Sequence, residues 1–96
     1  FCAPPTAYRM LIQEDLSVYD FSELRECVSA GEPLNPEVIE VWEKHTGIEI
    51  REGYGQTETV FLIGTYPKMK VKRGAMGYPS PLFEVEVIGD DLKPLP

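Results

Sequence analysis

No apolar run in the 96 residues approaches the ~20 needed to span a bilayer as a helix, and no signal-peptide pattern is present. Positive charge is scarce. Nine Lys and Arg stand against sixteen Asp and Glu, a formal charge of −7. A surface of that sign does not wrap nucleic acid, whose phosphates require a basic face. Cysteine is limited to Cys2 and Cys27, without metal spacing or the density of a disulfide scaffold, which suits a reducing compartment. The only histidine, His45, has no nearby cysteine or paired carboxylates, and reads as a helix C-terminal residue rather than a general base. No Ser-His-Asp set can be assembled, and no G-x-x-x-x-G-K-[ST] phosphate loop occurs. Internal repeats and low-complexity tracts are absent as well.

What remains is an ordinary globular composition, 43% hydrophobic and 26% charged, enough for one small domain with a modest core. The chain opens on Phe1-Cys2-Ala3-Pro4-Pro5 without an initiator Met and closes at Leu95-Pro96 as a turn approaches. It reads as an internal piece of a longer protein. A helix is expected from Pro5 to about Glu14, with Ala7, Tyr8, Leu11 and Ile12 on one buried face. A short helix is expected at Ser22 to Glu26, with Asp20 and Glu23 spaced as a capping box. Cys27 to Ala30 reads as a brief buried strand. The clearest helix has Asn35 as N-cap, Pro36 at the first helical position, Val38, Val41, Trp42 and His45 on one face, and Gly47 as the stop. Ile48 to Arg51 follows as a strand, so the order is βαβ and the two strands should be parallel with a right-handed crossover. Beyond it, Val60 to Ile63 and the alternating Phe83, Val85 and Val87 read as strands, and Gly89-Asp90-Asp91 as a hairpin turn. The expected class is α/β, an α/β layer over about residues 1–66 and the start of a β subdomain over about 67–96. Lys68, Lys70, Lys72 and Arg73 form a cluster that could meet an anion, with a solvated loop as the plainer reading.

Ligands of open α/β sheets sit beyond the carboxyl ends of parallel strands. Two such ends carry unusual residues, Ser29-Ala30-Gly31-Glu32-Pro33-Leu34 and Glu52-Gly53-Tyr54-Gly55-Gln56-Thr57-Glu58, and adjacent strands would turn both toward one crevice. Gly31, Gly53 and Gly55 allow close backbone approach to a ligand. Tyr54 offers a flat face for stacking. The Thr57 hydroxyl suits a phosphate oxygen, and Glu58 is a hard oxygen ligand suited to Mg²⁺. Taken singly, each has a plainer reading: glycine after a strand as a turn, Tyr54 as packing, Glu58 as a solvated charge.

The motifs together carry more. GYGQTET (53–59) resembles the Y-G-Q-T-E signature of the adenylate-forming, AMP-binding superfamily, which includes acyl-CoA synthetases, peptide-synthetase adenylation domains and luciferases. SAGEPL (29–34) is similar to that family's Gly-rich loop, and RGAMGYPSPLFEVEVI (73–88) to the segment leading into its β subdomain. The likeness spans essentially the whole chain, is strongest to medium-chain acyl-CoA synthetases, and implies a fragment of the large N-terminal domain. It further implies a carboxylic acid as substrate, ATP with Mg²⁺, and coenzyme A as co-substrate. An acyl-adenylate forms first, and the thiol then displaces AMP. On matching positions, Gly31, Glu32 and Pro33 would line the adenine and ribose side, and Glu52, Gly53, Tyr54, Gly55, Gln56 and Thr57 would wrap the adenosine. Thr57 would touch the α-phosphate and Glu58 hold the metal, because a bare carboxylate repels a triphosphate. Glycine at position 55, where acetate-selective relatives carry Trp, implies an open acyl pocket and a medium-length or aromatic acid. Glu52 departs from the Asp of several relatives.

The family's Lys-bearing phosphate loop, hinge Asp, ribose-side Arg and C-terminal lysine are not among these residues, so the segment alone is expected to be inactive. An adenylation domain that loads a carrier protein and a non-catalytic nucleotide-binding module are the competing readings. The cytoplasm, or the mitochondrial matrix of a eukaryote, is the expected location.

Overall fold

The computed structural model describes all 96 residues. Two helices and four strands follow in the order α1 (Pro5–Leu11), β1 (Cys27–Ala30), α2 (Pro36–Thr46), β2 (Ile50–Gln56), β3 (Val60–Gly64) and β4 (Tyr78–Pro79), with a 3₁₀ turn at Leu16–Val18. They form a single sheet in the order β1-β2-β3-β4. The β1–β2 pair is parallel, as the intervening helix requires, and β2–β3 and β3–β4 are antiparallel. No helix is long and apolar enough to cross a membrane.

Local chemistry accounts for α2. The Asn35 side chain accepts from the Glu37 N–H at 3.0 Å, Pro36 occupies the first turn, and Gly47 ends the helix at φ +74°, where a Cβ would be strained. The core lies between the helices and the β1–β2 pair: Tyr8, Leu16, Cys27, Leu34, Val38, Ile39, Trp42 and Ile50 are buried together. Cys27 and Ile50 are register partners, which sets both on the helix-covered face. Tyr8 meets Trp42 edge-on at 5.1 Å between ring centroids, a favourable aromatic geometry. Ile39 belongs to the buried face of α2, whereas His45 is exposed in the last turn.

Four expectations are corrected. Ser22 to Glu26 is a turn, not a helix: the Asp20 carboxylate accepts from the Ser22 N–H and the Phe21 carbonyl from the Leu24 N–H. Short polar side chains that bond their own neighbouring backbone compete with helix formation. The same effect forms the Leu16–Val18 turn, capped by Asp15. α1 stops at Leu11, short of Glu14. β2 begins at Ile50 and runs on to Gln56, well past Arg51. Phe83 and Val85 join no ladder, and Val87 is met only by the Leu95 N–H at 2.8 Å beside the Ile88–Pro94 bridge, so no strand forms there. The turn at Gly89 does form, closed by the Ile88–Pro94 bridge.

Arg73 departs from the solvated-loop reading of the basic cluster. Its guanidinium reaches Glu40 at 3.1 Å, Glu43 at 2.6 Å and Glu49 at 3.6 Å, which fastens the 72–76 loop against α2. Val71 beside it is buried.

Candidate functional site

The site exists because β2 outlasts β1. Their register ends at Ala30–Gly53. β1 then turns away at Gly31 (φ +100°) toward the start of α2, while β2 continues three residues further along β3. A cavity of about 500 Å³ opens over the vacated edge. One wall is the Gly31–Leu34 loop, another the Glu52–Gln56 run of β2, and Gly74 and Met76 supply a third.

Eight of the ten residues singled out from sequence therefore meet: Gly31, Glu32, Pro33, Glu52, Gly53, Tyr54, Gly55 and Gln56. The last five are not a loop past a strand end but part of the strand itself. Thr57 and Glu58 lie outside the cavity, exposed on the turn that joins β2 to β3. That turn is closed by the Thr59 N–H donating to the Gln56 carbonyl and the Gln56 N–H donating to the Thr59 hydroxyl, both at 3.1 Å. Leu34 lines the cavity with the strand end in which the sequence placed it, whereas Gly74 and Met76 escaped the sequence reading as lining residues. Only the turn-rich composition around Gly74 hinted at these two, since what carries that loop to the cavity is the distant contact between Arg73 and α2.

The glycines serve the hairpin before they serve a ligand. A Cβ on Gly53 would stand 2.0 Å from the Phe61 ring, and one on its register partner Gly64 1.9 Å from the same ring. A Cβ on Gly55 would stand 1.8 Å from the Val60 carbonyl oxygen, beside the bulge between Tyr54 and Gly55. Glycine at 55 is thus required by backbone approach, and the open volume there follows from it. Tyr54 lines the cavity, is 39% exposed and packs against no other aromatic ring.

Both carboxylates in the cavity wall are engaged by the protein. Glu32 accepts from the Thr6 hydroxyl at 2.9 Å and from Arg9 at 2.7 Å. The Thr6 bond, followed by Arg9, holds its carboxyl below the usual range. Glu52 is only 8% exposed, and its Oε1 accepts from the Leu34 N–H at 3.1 Å. Burial pushes its carboxyl up, and the Leu34 bond partly opposes this. No group of three metal-ligating side chains occurs. Glu58, a single exposed carboxylate, could hold a metal only as one ligand among water and substrate oxygens, an arrangement typical of Mg²⁺.

A family model for "AMP-binding enzyme" matches residues 1–96. The chain is 57% identical over 96 residues to "Acyl-coenzyme A synthetase ACSM3, mitochondrial" of Mus musculus, covering 100% of this chain and 17% of the relative. It is 52% identical over 93 residues to "4-hydroxybutyrate--CoA ligase 1" of Metallosphaera sedula, covering 97% and 16%. The fold superposes on a solved anthranilate CoA ligase, AuaEII in complex with anthranoyl-AMP, with TM-score 0.89 and 33% identity, covering 100% of this chain and 19% of that one. The chain thus spans about a sixth of the length of the curated relatives it matches. With the family model matched over all 96 residues, the chain belongs to the AMP-binding enzyme family.

Proposed function

We propose that these residues form the adenosine-side wall of an AMP-forming acyl-CoA synthetase. The observation that carries this reading is the cavity over the end of β1, with the half-exposed ring of Tyr54 and bare glycine backbone facing it, in a chain matched end to end by the family model. A flat π-face with approachable backbone groups suits a purine. From the turn that joins β2 to β3, the Thr57 hydroxyl would meet the α-phosphate and Glu58 would supply one oxygen to Mg²⁺. The substrate carboxylate attacks the α-phosphorus, releasing pyrophosphate and leaving an acyl-adenylate. The coenzyme A thiol attacks the acyl carbon and AMP departs.

A medium-length or aromatic acid fits the glycine at 55, and the aromatic choice accords with the name of the anthranilate CoA ligase. Residues up to about 66 belong to the α/β layer and those from about 67 to the start of a β subdomain. A mitochondrial location accords with the name of the mouse relative, and the cytoplasm is the alternative. The 96 residues alone do not catalyse either step.

The test is ATP–pyrophosphate exchange by the full-length protein with acids from acetate to long-chain and aromatic, followed by addition of coenzyme A. Exchange that peaks with medium-length or aromatic acids, then yields thioester, is the expected result. Exchange without thioester moves the reading to an adenylation domain that loads a carrier protein. Absence of exchange with every acid overturns both and favours a nucleotide-binding module.

A further inference from the structure

We propose that Glu52 is a positioning residue, a clamp that holds the Gly31–Leu34 loop against β2, rather than a direct contact to the adenine base. The proposal rests on the nucleotide reading of the cavity and concerns how that cavity keeps its shape.

The geometry assigns Glu52 to the protein interior. Its register partner is Ser29, which is 1% exposed, so both side chains occupy the same covered face of the β1–β2 pair. Its Oε1 accepts from the Leu34 N–H, 18 residues away in sequence, across a buried hydrogen bond of 3.1 Å. Leu34 in turn is a core residue, 4% exposed, in the same buried cluster as Val38, Ile39 and Trp42. The bond thus ties the loop that follows β1 to the strand that forms the opposite wall. The loop is tied a second time by Glu32, through Thr6 and Arg9 of α1. Between the two ties lies Pro33, whose ring restricts the backbone further. Glu32 is thus taken up by α1 and one oxygen of Glu52 by the Leu34 N–H, so the Tyr54 ring and the glycine backbone make up much of the surface offered to a nucleobase.

Charge supports the same assignment. A buried carboxylate is tolerated where a donor satisfies it, and the Leu34 N–H is the one donor that Glu52 has. The role needs an acceptor at the right reach, not a negative charge. Glutamine keeps both reach and acceptor oxygen, and its added N–H groups lie on the same buried face as the Ser29 hydroxyl, which has no hydrogen-bond partner of its own. Aspartate keeps the charge but falls one methylene short.

The experiment uses the full-length protein and two nucleotides, ATP and purine riboside triphosphate, which lacks the 6-amino group. Dissociation constants are measured by calorimetry for wild type, Glu52→Gln and Glu52→Asp. The clamp predicts that E52D weakens both nucleotides by the same factor, roughly tenfold, the weight of one hydrogen bond to a charged group. It predicts that E52Q stays within about twofold of wild type for both, the loss of a neutral in place of a charged acceptor. A loss confined to ATP would show Glu52 on the base itself and overturn the proposal, as would an unaffected E52D or an E52Q as weak as E52D. Hydrogen exchange at the Leu34 amide gives an independent readout: slow in wild type and E52Q, faster in E52D. Should E52D fail to fold, exchange of that amide in wild type at the rate of an open loop overturns the clamp by itself. Pyrophosphate exchange by wild type is scored separately. Its absence with nucleotide binding intact sinks the synthetase reading and leaves the clamp to the binding data, and absence of nucleotide binding by wild type overturns both.

Discussion

At the scale of single residues, backbone geometry at the β2–β3 hairpin sets what substitution can do. Val60 lies at φ +60°, a left-handed conformation that costs a β-branched residue roughly 1–2 kcal/mol. Val60→Gly removes that cost and adds the greater chain entropy of glycine, about 0.5–1 kcal/mol. A net stabilisation of up to about 1 kcal/mol is expected, read as a raised melting temperature of the full-length protein, and a lowered one would contradict the strain. Gly55 and Gly53 separate by what they meet. Gly55→Ala drives a Cβ into the Val60 carbonyl, which is backbone, whereas Gly53→Ala meets the Phe61 ring, which can rotate. Overpacking typically costs about 1–3 kcal/mol. Gly55→Ala should sit at the upper end and Gly53→Ala at the lower, and the reverse order in denaturant unfolding would refute the hairpin argument.

Glu52 adds a pH dependence at the same scale. Its folded pKa is raised above the ordinary carboxylate value, first by burial. Such a group favours the folded state most when protonated, and that contribution is lost as pH rises through its folded pKa. Glu52→Gln removes the loss. The melting temperature of E52Q relative to wild type should therefore increase as pH is raised from about 4 to 7 across the carboxylate range, and a flat or falling difference would contradict the burial.

Among the elements, the 72–76 loop is held by Arg73 against three glutamates, Glu40 and Glu43 on α2 and Glu49 just after it. Isolated surface pairs contribute little, but one guanidinium shared by several carboxylates is a network, worth about 1 kcal/mol and weakened by salt. Arg73→Gln should lower stability by about that amount at low ionic strength and by less at high salt. Because Gly74 and Met76 form a cavity wall, nucleotide affinity should fall with it, and equal losses at both ionic strengths would point to packing instead. The hairpin and the parallel pair are elements of different origin. Asn35, Pro36 and Gly47 announce α2 from the sequence, and α2 in turn makes β1 and β2 parallel. The length of β2 was not announced, since Gly53-Tyr54-Gly55 has the look of a loop and becomes strand only because β3 pairs with it. The sequence thus pointed to eight of the lining residues while assigning five of them to the wrong local structure.

Taken whole, the molecule is elongated, 53 × 25 × 23 Å, with a radius of gyration of 15.2 Å, against roughly 12.5 Å for a compact domain of this size. Leu82, Phe83, Val87, Ile88, Leu92 and Leu95 are exposed along the C-terminal segment. Unpaired extended backbone with apolar side chains favours association. The 96 residues in isolation should self-associate with rising concentration, and replacing Phe83 and Val87 by Ser should shift sedimentation toward the monomer. Unchanged association in that variant would place the contact elsewhere.

What the sequence determined by itself was what acts over a few residues: the caps of α2, the βαβ order that follows, and the glycine-rich motifs that mark the family. Tertiary structure alone decided where β2 ends, which carboxylates the protein engages, and that Phe83 to Val85 stand without a partner strand. The physical reason is range. Caps and turns bond to neighbours in the chain, whereas Glu52 finds Leu34, Arg73 finds Glu40, and a strand finds its ladder only after distant segments have been brought together.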